Sequence, residues 1–160
     1  GDLFQWGRGE DGHQISTSTT TTSLSTTDAP ANTLFIKVFS TNPPNDWRNP
    51  QNNNLWQGVN GLNNPCPYGF RLPTSTELIA ERTSWTSNNA AGAFASTLKL
   101  PMTIGRNSND GGFFGGQTYG YYWSSTVNFS FARFLYFSSS DAGMYSDYRA
   151  YGFPVRCLKD

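Results

Sequence analysis

The stretch CPYGFRLPTSTE, residues 66–77, decides how the fold begins to form. Directly after Pro73, Thr74 and Glu77 have the spacing of a capping box, in which each satisfies a free backbone N–H at a helix N-terminus. The residues that share one helical face are Leu78, Arg82 and Trp85. The sequence therefore predicts a helix over residues 74–85, entered straight from the segment that carries a cysteine.

Further elements are short. A second helix is predicted over residues 89–94, although Gly92 weakens it. Runs of strand-forming residues bounded by turn residues lie at 34–39, 121–126, 132–137 and 153–158, and the first of these stops at the turn residues 42–45. One or two helices with short antiparallel strands predict an α+β fold.

Two polar stretches predict long ordered loops within a single domain of residues 1–160. Residues 16–27 are Ser or Thr at eleven of twelve positions, which indicates a loop or an extended edge segment. Residues 49–64 contain seven Asn, so turn chemistry dominates there, and we expect Trp47 and Trp56 to pin this loop to the core.

Composition excludes several partners. Eleven Lys and Arg balance eleven Asp and Glu, and only 14% of residues are charged, so nucleic acid is a poor candidate partner. No apolar run exceeds four residues, far below the roughly 20 of a membrane span, so no direct membrane insertion is expected. Twelve Phe, eight Tyr and five Trp supply ample apolar surface for a folded core.

Residues capable of chemistry are few. His13, the single histidine, lies in a polar, Gly-rich stretch and is expected in a surface loop. Cys66 and Cys157 have neither metal-ligand nor redox spacing, but in an oxidising compartment they would pair. Closing a loop of about 90 residues would stabilise the fold by roughly 4 to 5 kcal/mol. A structural disulfide is therefore favoured, with an extracellular or periplasmic location.

Metal, cofactor and enzyme functions receive no support from the sequence. Residues 107–112 are similar to the start of a calcium loop but lack the bidentate acid that closes one. No arrangement of residues meets the requirements for a nucleophile and its base. We expect no metal, no cofactor and no catalysis.

Several segments in a fixed order carry a resemblance to a known family: residues 1–8, 55–60, 66–74, 120–126, 132–137 and 149–157. Together they closely resemble the Fibrobacter succinogenes major paralogous domain family. The resemblance implies a C-type-lectin-like fold, in the formylglycine-generating-enzyme-like branch, on secreted or surface proteins of bacteria. Members usually begin with a further strand before the segment 1–7, so the resemblance implies that the N-terminal strand is missing here.

Residues 113–157 also resemble the variable region of a diversity-generating retroelement target protein, in which adenine-containing codons are rewritten. The resemblance implies ligand contacts at Phe129, Phe131, Phe134, Tyr136, Asp141, Tyr145, Asp147, Tyr148, Tyr151 and Phe153. Phe, Tyr and Asp can each be reached from an Asn codon by changing only adenines. Expected supports of this surface are the scaffold residue Trp123 and the arginines Arg133 and Arg149.

The residues themselves point the same way. Residues 113–153 hold 15 of the 25 aromatic residues. If the strand alternates, Phe134 and Tyr136 face opposite Leu135 and Phe137, so one pair is expected to look outward. Exposed Tyr and Phe among Ser, Gly and Asp are typical of antibody-like binding surfaces. The competing interpretation is that the Phe residues are core and only the Tyr tips meet solvent.

We therefore predict a binding module whose partner is a protein or glycan on another cell or surface. The alternative is a structural subunit of a bacterial surface fibre, pilus or filament, with the same aromatic surface buried in a homo-oligomer or an open sheet edge accepting a strand. The two predictions differ in what is lost when the aromatic surface is altered, which is either a ligand or the assembly.

Overall fold

A computed structural model describes residues 1–39 and 44–160 and confirms the α+β class. Its elements in chain order are β1 Phe4–Gln5, β2 Thr20–Thr21, β3 Phe35–Ile36, β4 Phe70–Arg71, α1 Ser75–Thr83, α2 Ala90–Ala95, β5 Gly105–Arg106, β6 Phe113–Phe114, β7 Gly120–Asn128, β8 Phe131–Phe137, β9 Ala142–Tyr148, β10 Gly152–Phe153 and β11 Leu158–Lys159. The predicted turn at 42–45 begins outside the described residues. Neither helix in the described ranges is long and apolar enough to cross a membrane.

The largest strands form one antiparallel sheet in the order β7-β8-β9. Its register pairs Trp123 with Phe134 and Phe134 with Tyr145, and β7 is irregular between Trp123 and Val127. A second sheet has the order β1-β10-β5-β6, while β4 pairs with β11 and β2 runs parallel to β3. The chain is thus built on one regular hairpin sheet with several short strand pairs around it.

The first predicted helix is confirmed together with its cap. Thr74 Oγ1 accepts a hydrogen bond from the Glu77 backbone N–H at 3.2 Å, and the Thr74 N–H donates to Glu77 Oε2 at 2.7 Å. Arg71 donates to the same carboxylate and forms a second ion pair with Asp160. The hydrogen bond from Arg71 is the main reason that the pKa of Glu77 falls to about 2. Arg71 therefore joins β4, α1 and the C-terminus.

The second helix is also confirmed, with Asn89 as its N-cap. Gly92 counts against a helix by propensity, but here it is required by a close approach. A Cβ at this position would lie 1.9 Å from the Ser87 carbonyl oxygen. The backbone contact that the glycine permits outweighs its cost of about 1 kcal/mol in helix propensity.

The strand predictions need several corrections. β1, β4, β5 and β6 were not predicted, and the run at 34–39 forms a strand only at Phe35–Ile36. The predicted strand at 153–158 is divided into β10 and β11 by residues 154–157. After β10 the chain turns towards β7, where the Pro154 carbonyl accepts a hydrogen bond from the Trp123 N–H. β9 was not predicted at all, since its residues alternate weakly and pair with β8 through the backbone. Within the tract 16–27, only Thr20–Thr21 forms a strand.

The predicted disulfide is present between Cys66 and Cys157, whose Cα atoms are 5.8 Å apart. It joins the segment before β4 to the segment before β11, two strands that also pair with each other. The bridge therefore closes a loop of about 90 residues at a place where the fold already brings its ends together, which stabilises the fold by restricting the unfolded chain.

The expectation that His13 lies at the surface is wrong. Its side chain is fully buried, with the ring edge-on to Phe4 at 5.9 Å. Nε2 accepts from the Gln5 backbone N–H at 3.1 Å, so the proton lies on Nδ1, which donates to Asp11 Oδ1 at 2.6 Å. The Gly-rich stretch folds back over β1, and its polarity serves buried hydrogen bonds rather than solvent.

Candidate ligand-binding face

The two faces of the β7-β8-β9 sheet have different surroundings. On one face, Tyr122, Leu135 and Phe137 pack with Leu78 of α1 in a buried cluster. Side chains alternate along a strand, so the residues between them point the other way. We define the open face as Tyr121, Trp123, Phe134, Tyr136, Tyr145 and Asp147, which share this second direction in the register.

The inner half of the open face is covered. The ring of Phe153 on β10 lies 5.0 Å from Phe134 and 4.5 Å from Trp123. Phe134 is only 6% exposed and Phe153 is fully buried. Phe134 therefore lies on the open face but beneath Phe153, and these two Phe residues form a floor beneath the ligand-accessible rings.

The outer half of the open face remains accessible. Tyr136 is half-buried, and Tyr145 is 51% exposed. Their rings lie 5.5 Å apart and nearly perpendicular, at 85°. Two aromatic walls therefore stand over the Phe134 floor.

Two adjacent cavities follow this surface and together form what we call the aromatic groove. The first, of about 390 Å³, is lined by Phe134, Tyr136, Asp141, Tyr145, Ser146 and Asp147. The second, of about 270 Å³, is lined by Asn107, Phe114, Tyr121, Phe134, Asp147, Tyr151 and Phe153. Phe134 and Asp147 line both cavities, so the two cavities are neighbours along this surface.

Asp147 is the charged group at this junction. Burial raises the pKa of its carboxyl, against the one hydrogen bond that its Oδ1 accepts, from the Tyr148 N–H at 2.8 Å. Asp141 lies at the exposed rim, where Ser138 Oγ donates to it at 2.7 Å. Burial, and after it the charge of Asp147, also raises the pKa of Tyr151. Neither Lys nor Arg is among the described residues that line the groove.

Phe129 lies apart from the groove, at the tip of the β7–β8 hairpin. It is 91% exposed and has a φ of 53°, a backbone region that Phe rarely adopts. Its carbonyl accepts from Arg149 Nη2 at 3.1 Å. A large apolar side chain is therefore displayed in a strained turn whose backbone is fixed from below.

Arg149 provides that support from a fully buried position. Its guanidinium lies 4.7 Å from the centre of the Trp6 ring and donates to Asn53 Oδ1 at 2.7 Å. It therefore connects the hairpin tip to the Asn-rich loop at 49–64. Arg133, by contrast, alternates with Phe134 on β8 and does not line the groove.

Two predicted contact residues, Phe131 and Tyr148, line neither cavity. Phe131 and Tyr148 pair across β8 and β9 with rings 5.3 Å apart, and Tyr148 stacks on Tyr151 at 6.5 Å. Sequence reasoning missed four residues that line the groove: Asn107, Phe114, Tyr121 and Ser146. The available signal was the aromatic density after residue 113, but the positions of Asn107 and Phe114 depend on β5 pairing with β10 and β6 pairing with β5.

Two other features were considered as sites. The described residues contain no group of three or more His, Cys, Asp or Glu able to hold a metal ion. A larger cavity, of about 720 Å³, lies near the N-terminus between residues 1–4, 101–104 and 154–157. Of its lining only Phe4 and Tyr122 are aromatic, and both rings are buried. The aromatic groove is thus the better candidate for recognition.

A scan with protein-family models and searches of curated proteins and solved structures find no match to this chain. The fold and the site define its class: an α+β domain with one disulfide and an aromatic groove on the partly covered open face of its main sheet.

Proposed function

We propose that this domain is a secreted or cell-surface binding module that recognises a protein or glycan ligand through the aromatic groove and the neighbouring Phe129. The observation that carries the proposal is the pair of adjacent cavities that share Phe134 and Asp147, the first of them walled by Tyr136 and Tyr145. Aromatic anchors with adjacent polar groups dominate the energetics of many interfaces.

The proposal includes a C-type-lectin-like fold of the type found in the Fibrobacter succinogenes major paralogous domain family, on a bacterial surface protein. The order of its sequence motifs supports this assignment. The Cys66–Cys157 bridge supports an extracellular or periplasmic location, because disulfides persist in oxidising compartments. The resemblance of residues 113–157 to a retroelement variable region supports a diversified ligand surface.

Binding is tested with the purified domain on a glycan array and on a displayed library of random constrained peptides. A Phe129→Ser/Tyr145→Ser variant removes two exposed rings and leaves the buried floor intact. Tyr68→Ser is the matched control, because Tyr68 is fully exposed elsewhere. We expect the double variant to lose at least tenfold in affinity for any ligand selected by the wild type, while the control keeps it. Equal binding by all three proteins would contradict the proposal.

Diversification is tested on DNA. The region flanking the gene is sequenced for a reverse transcriptase and a near-copy of the codons for residues 121–157. A copy that differs only where the template has adenine supports diversification, and the differing positions map the binding surface. Absence of such a copy removes the retroelement from the proposal and leaves ligand binding to its own test.

The second candidate is an assembly subunit of a surface fibre, pilus or filament. The exposed apolar rings of Phe129 and Phe113 favour it, since such side chains are often buried against a neighbouring copy. Sedimentation of the wild type and of the Phe129→Ser/Tyr145→Ser variant separates the candidates. Self-association that disappears in the variant supports assembly, whereas a monomer in both cases supports ligand binding.

A further inference from the structure

The aromatic groove holds negative charge without a positive group to oppose it. Asp147 belongs to both cavities, and Asp141 stands at the rim of the first. The ion pairs of the described residues all involve other carboxylates. Arg106, the arginine of the adjacent β5, is directed to Ser18 and to the Gly111 carbonyl instead.

The environment of Asp147 differs from that of a solvated surface carboxylate. Tyr145 precedes it by two residues on the same strand face, and Ala132 lies opposite in the register. Ala132 is fully buried, and Asp147 lines both cavities together with Phe134. A partly desolvated carboxylate of this kind is stabilised by an opposite charge, and a neutral ligand does not supply one.

The tyrosine rings, like the Asp147 carboxylate, attract positive charge. Tyr136 and Tyr145 lie edge to face, with ring centres 5.5 Å apart, so a cation bound beside the pair can lie over the accessible face of a ring. Aromatic faces attract cations, and a planar guanidinium also stacks on them. The tyrosine walls and the Asp147 carboxylate therefore favour the same kind of ligand group, a cation with apolar flanks.

We propose that the aromatic groove accepts a basic side chain, preferably arginine, from a protein partner, with Asp147 as its counter-ion. This inference rests on the proposed function and narrows it from a protein or glycan to a protein with an exposed basic residue. A neutral glycan would stack on the same rings but would leave Asp147 unpaired.

The test uses small probes in place of the unidentified partner. Acetyl-arginine methylamide, its neutral isostere acetyl-citrulline methylamide and methyl N-acetylglucosaminide are titrated into isotope-labelled domain. Amide shifts of Tyr136, Tyr145 and Asp147 report on the groove. We expect the arginine probe to shift these resonances at millimolar concentration and to bind at least tenfold more tightly than the citrulline probe.

Two variants locate the charge that is responsible. Asp147→Asn keeps the shape of the side chain and is expected to weaken binding of the arginine probe at least tenfold. Asp2→Asn removes the same charge beside a different cavity and is expected to leave binding unchanged. The near-ultraviolet circular dichroism of each variant is compared with that of the wild type, to establish that the aromatic packing is retained.

The remaining outcomes contradict the inference in distinguishable ways. Equal binding of arginine and citrulline probes, or full binding by Asp147→Asn, overturns the role of charge but retains the groove as a binding site. Groove shifts with the sugar alone overturn the basic partner and favour a glycan. If no probe shifts these resonances at concentrations of about 50 mM, the inference is overturned. The array and library experiment then still decides the proposed function.

Discussion

The aromatic residues of this protein form two regions that differ in burial: a core of tryptophans and a groove walled by tyrosines. The tryptophan core consists of four buried indoles, and each N–H donates to a backbone carbonyl: Trp6 to Ser124, Trp47 to Trp6, Trp56 to Arg8 and Trp123 to Phe4. In the aromatic groove, by contrast, the tyrosine rings keep part of their surface accessible.

The difference shows how one side-chain class serves both folding and recognition. A buried indole whose N–H is bonded to a distant backbone segment fixes the relative position of two chain segments. An accessible tyrosine contributes less to folding, but it retains apolar surface that a ligand can bury. Mutational cost should therefore fall sharply from the core to the groove.

The largest effect is expected from Trp123→Ala. This change removes a fully buried ring and leaves the Phe4 carbonyl without its donor, so we expect a loss of about 4 kcal/mol in the free energy of unfolding. Tyr145→Ala is the matched change in the groove and should cost less than about 1 kcal/mol. Urea unfolding measures both, and similar costs would remove the distinction between the two regions.

Acid should destabilise the region around the tryptophan core through His13. Burial is the largest cause that lowers the pKa of His13, to about 4. Because the folded-state pKa lies below the ordinary 6.5, the contribution of neutral His13 is complete above pH 6.5 and is lost as the pH falls towards 4. The loss is on the order of 3 kcal/mol.

Urea unfolding at pH 7 and at pH 4 measures this effect. His13→Gln keeps a polar side chain that does not titrate, so it should lose less stability between the two pH values than the wild type does. An equal loss in both proteins would assign the acid sensitivity to other groups.

A gain in stability is expected at the hairpin tip. Phe129→Asn places a residue that tolerates the left-handed region at a φ of 53°, which should raise the free energy of unfolding by about 0.5 to 1 kcal/mol. Phe94→Asn is the control, because Phe94 is an exposed Phe in α2 with ordinary helical backbone and should show no gain. A loss of stability in Phe129→Asn would contradict this prediction, because it would mean that the Phe129 side chain stabilises the folded domain by more than its backbone conformation costs.

The smallest effect is expected at Asp147. Burial raises its folded-state pKa above 3.8, so the stability that it contributes is present below that pH and is lost as the pH rises through the folded-state value. At pH 7 the ionised carboxylate is therefore unfavourable, and Asp147→Asn should raise the urea midpoint slightly. Asp2→Asn should leave it unchanged, and a lower midpoint for Asp147→Asn would contradict a desolvated carboxylate.

Much of the fold could be predicted because its signals are local. The capping box of α1, the short helix α2 and the strand-forming runs of β7 and β8 depend on neighbouring residues, and the structure confirms all four. The cysteine pairing followed because two thiols allow one bridge. β9 was not predicted, because residues 142–148 (AGMYSDY) show no strand-forming pattern and pair with β8 through backbone hydrogen bonds.

The candidate site was predictable as a region but not residue by residue. Aromatic density marked residues 113–153, yet the division into floor and wall depends on where β10 lies. Phe153 covers Phe134 and leaves Tyr145 exposed, although all three belong to the same predicted surface.

By itself, the sequence determined the helices, the two central strands, the disulfide and the aromatic character of the C-terminal third, because propensity, capping and composition act over short distances. Only the tertiary structure decided that His13 is buried, that Phe134 is a floor and that Asp147 joins two cavities. Burial and charge environment are set by which distant segments pack together, and that packing is not written in any local pattern.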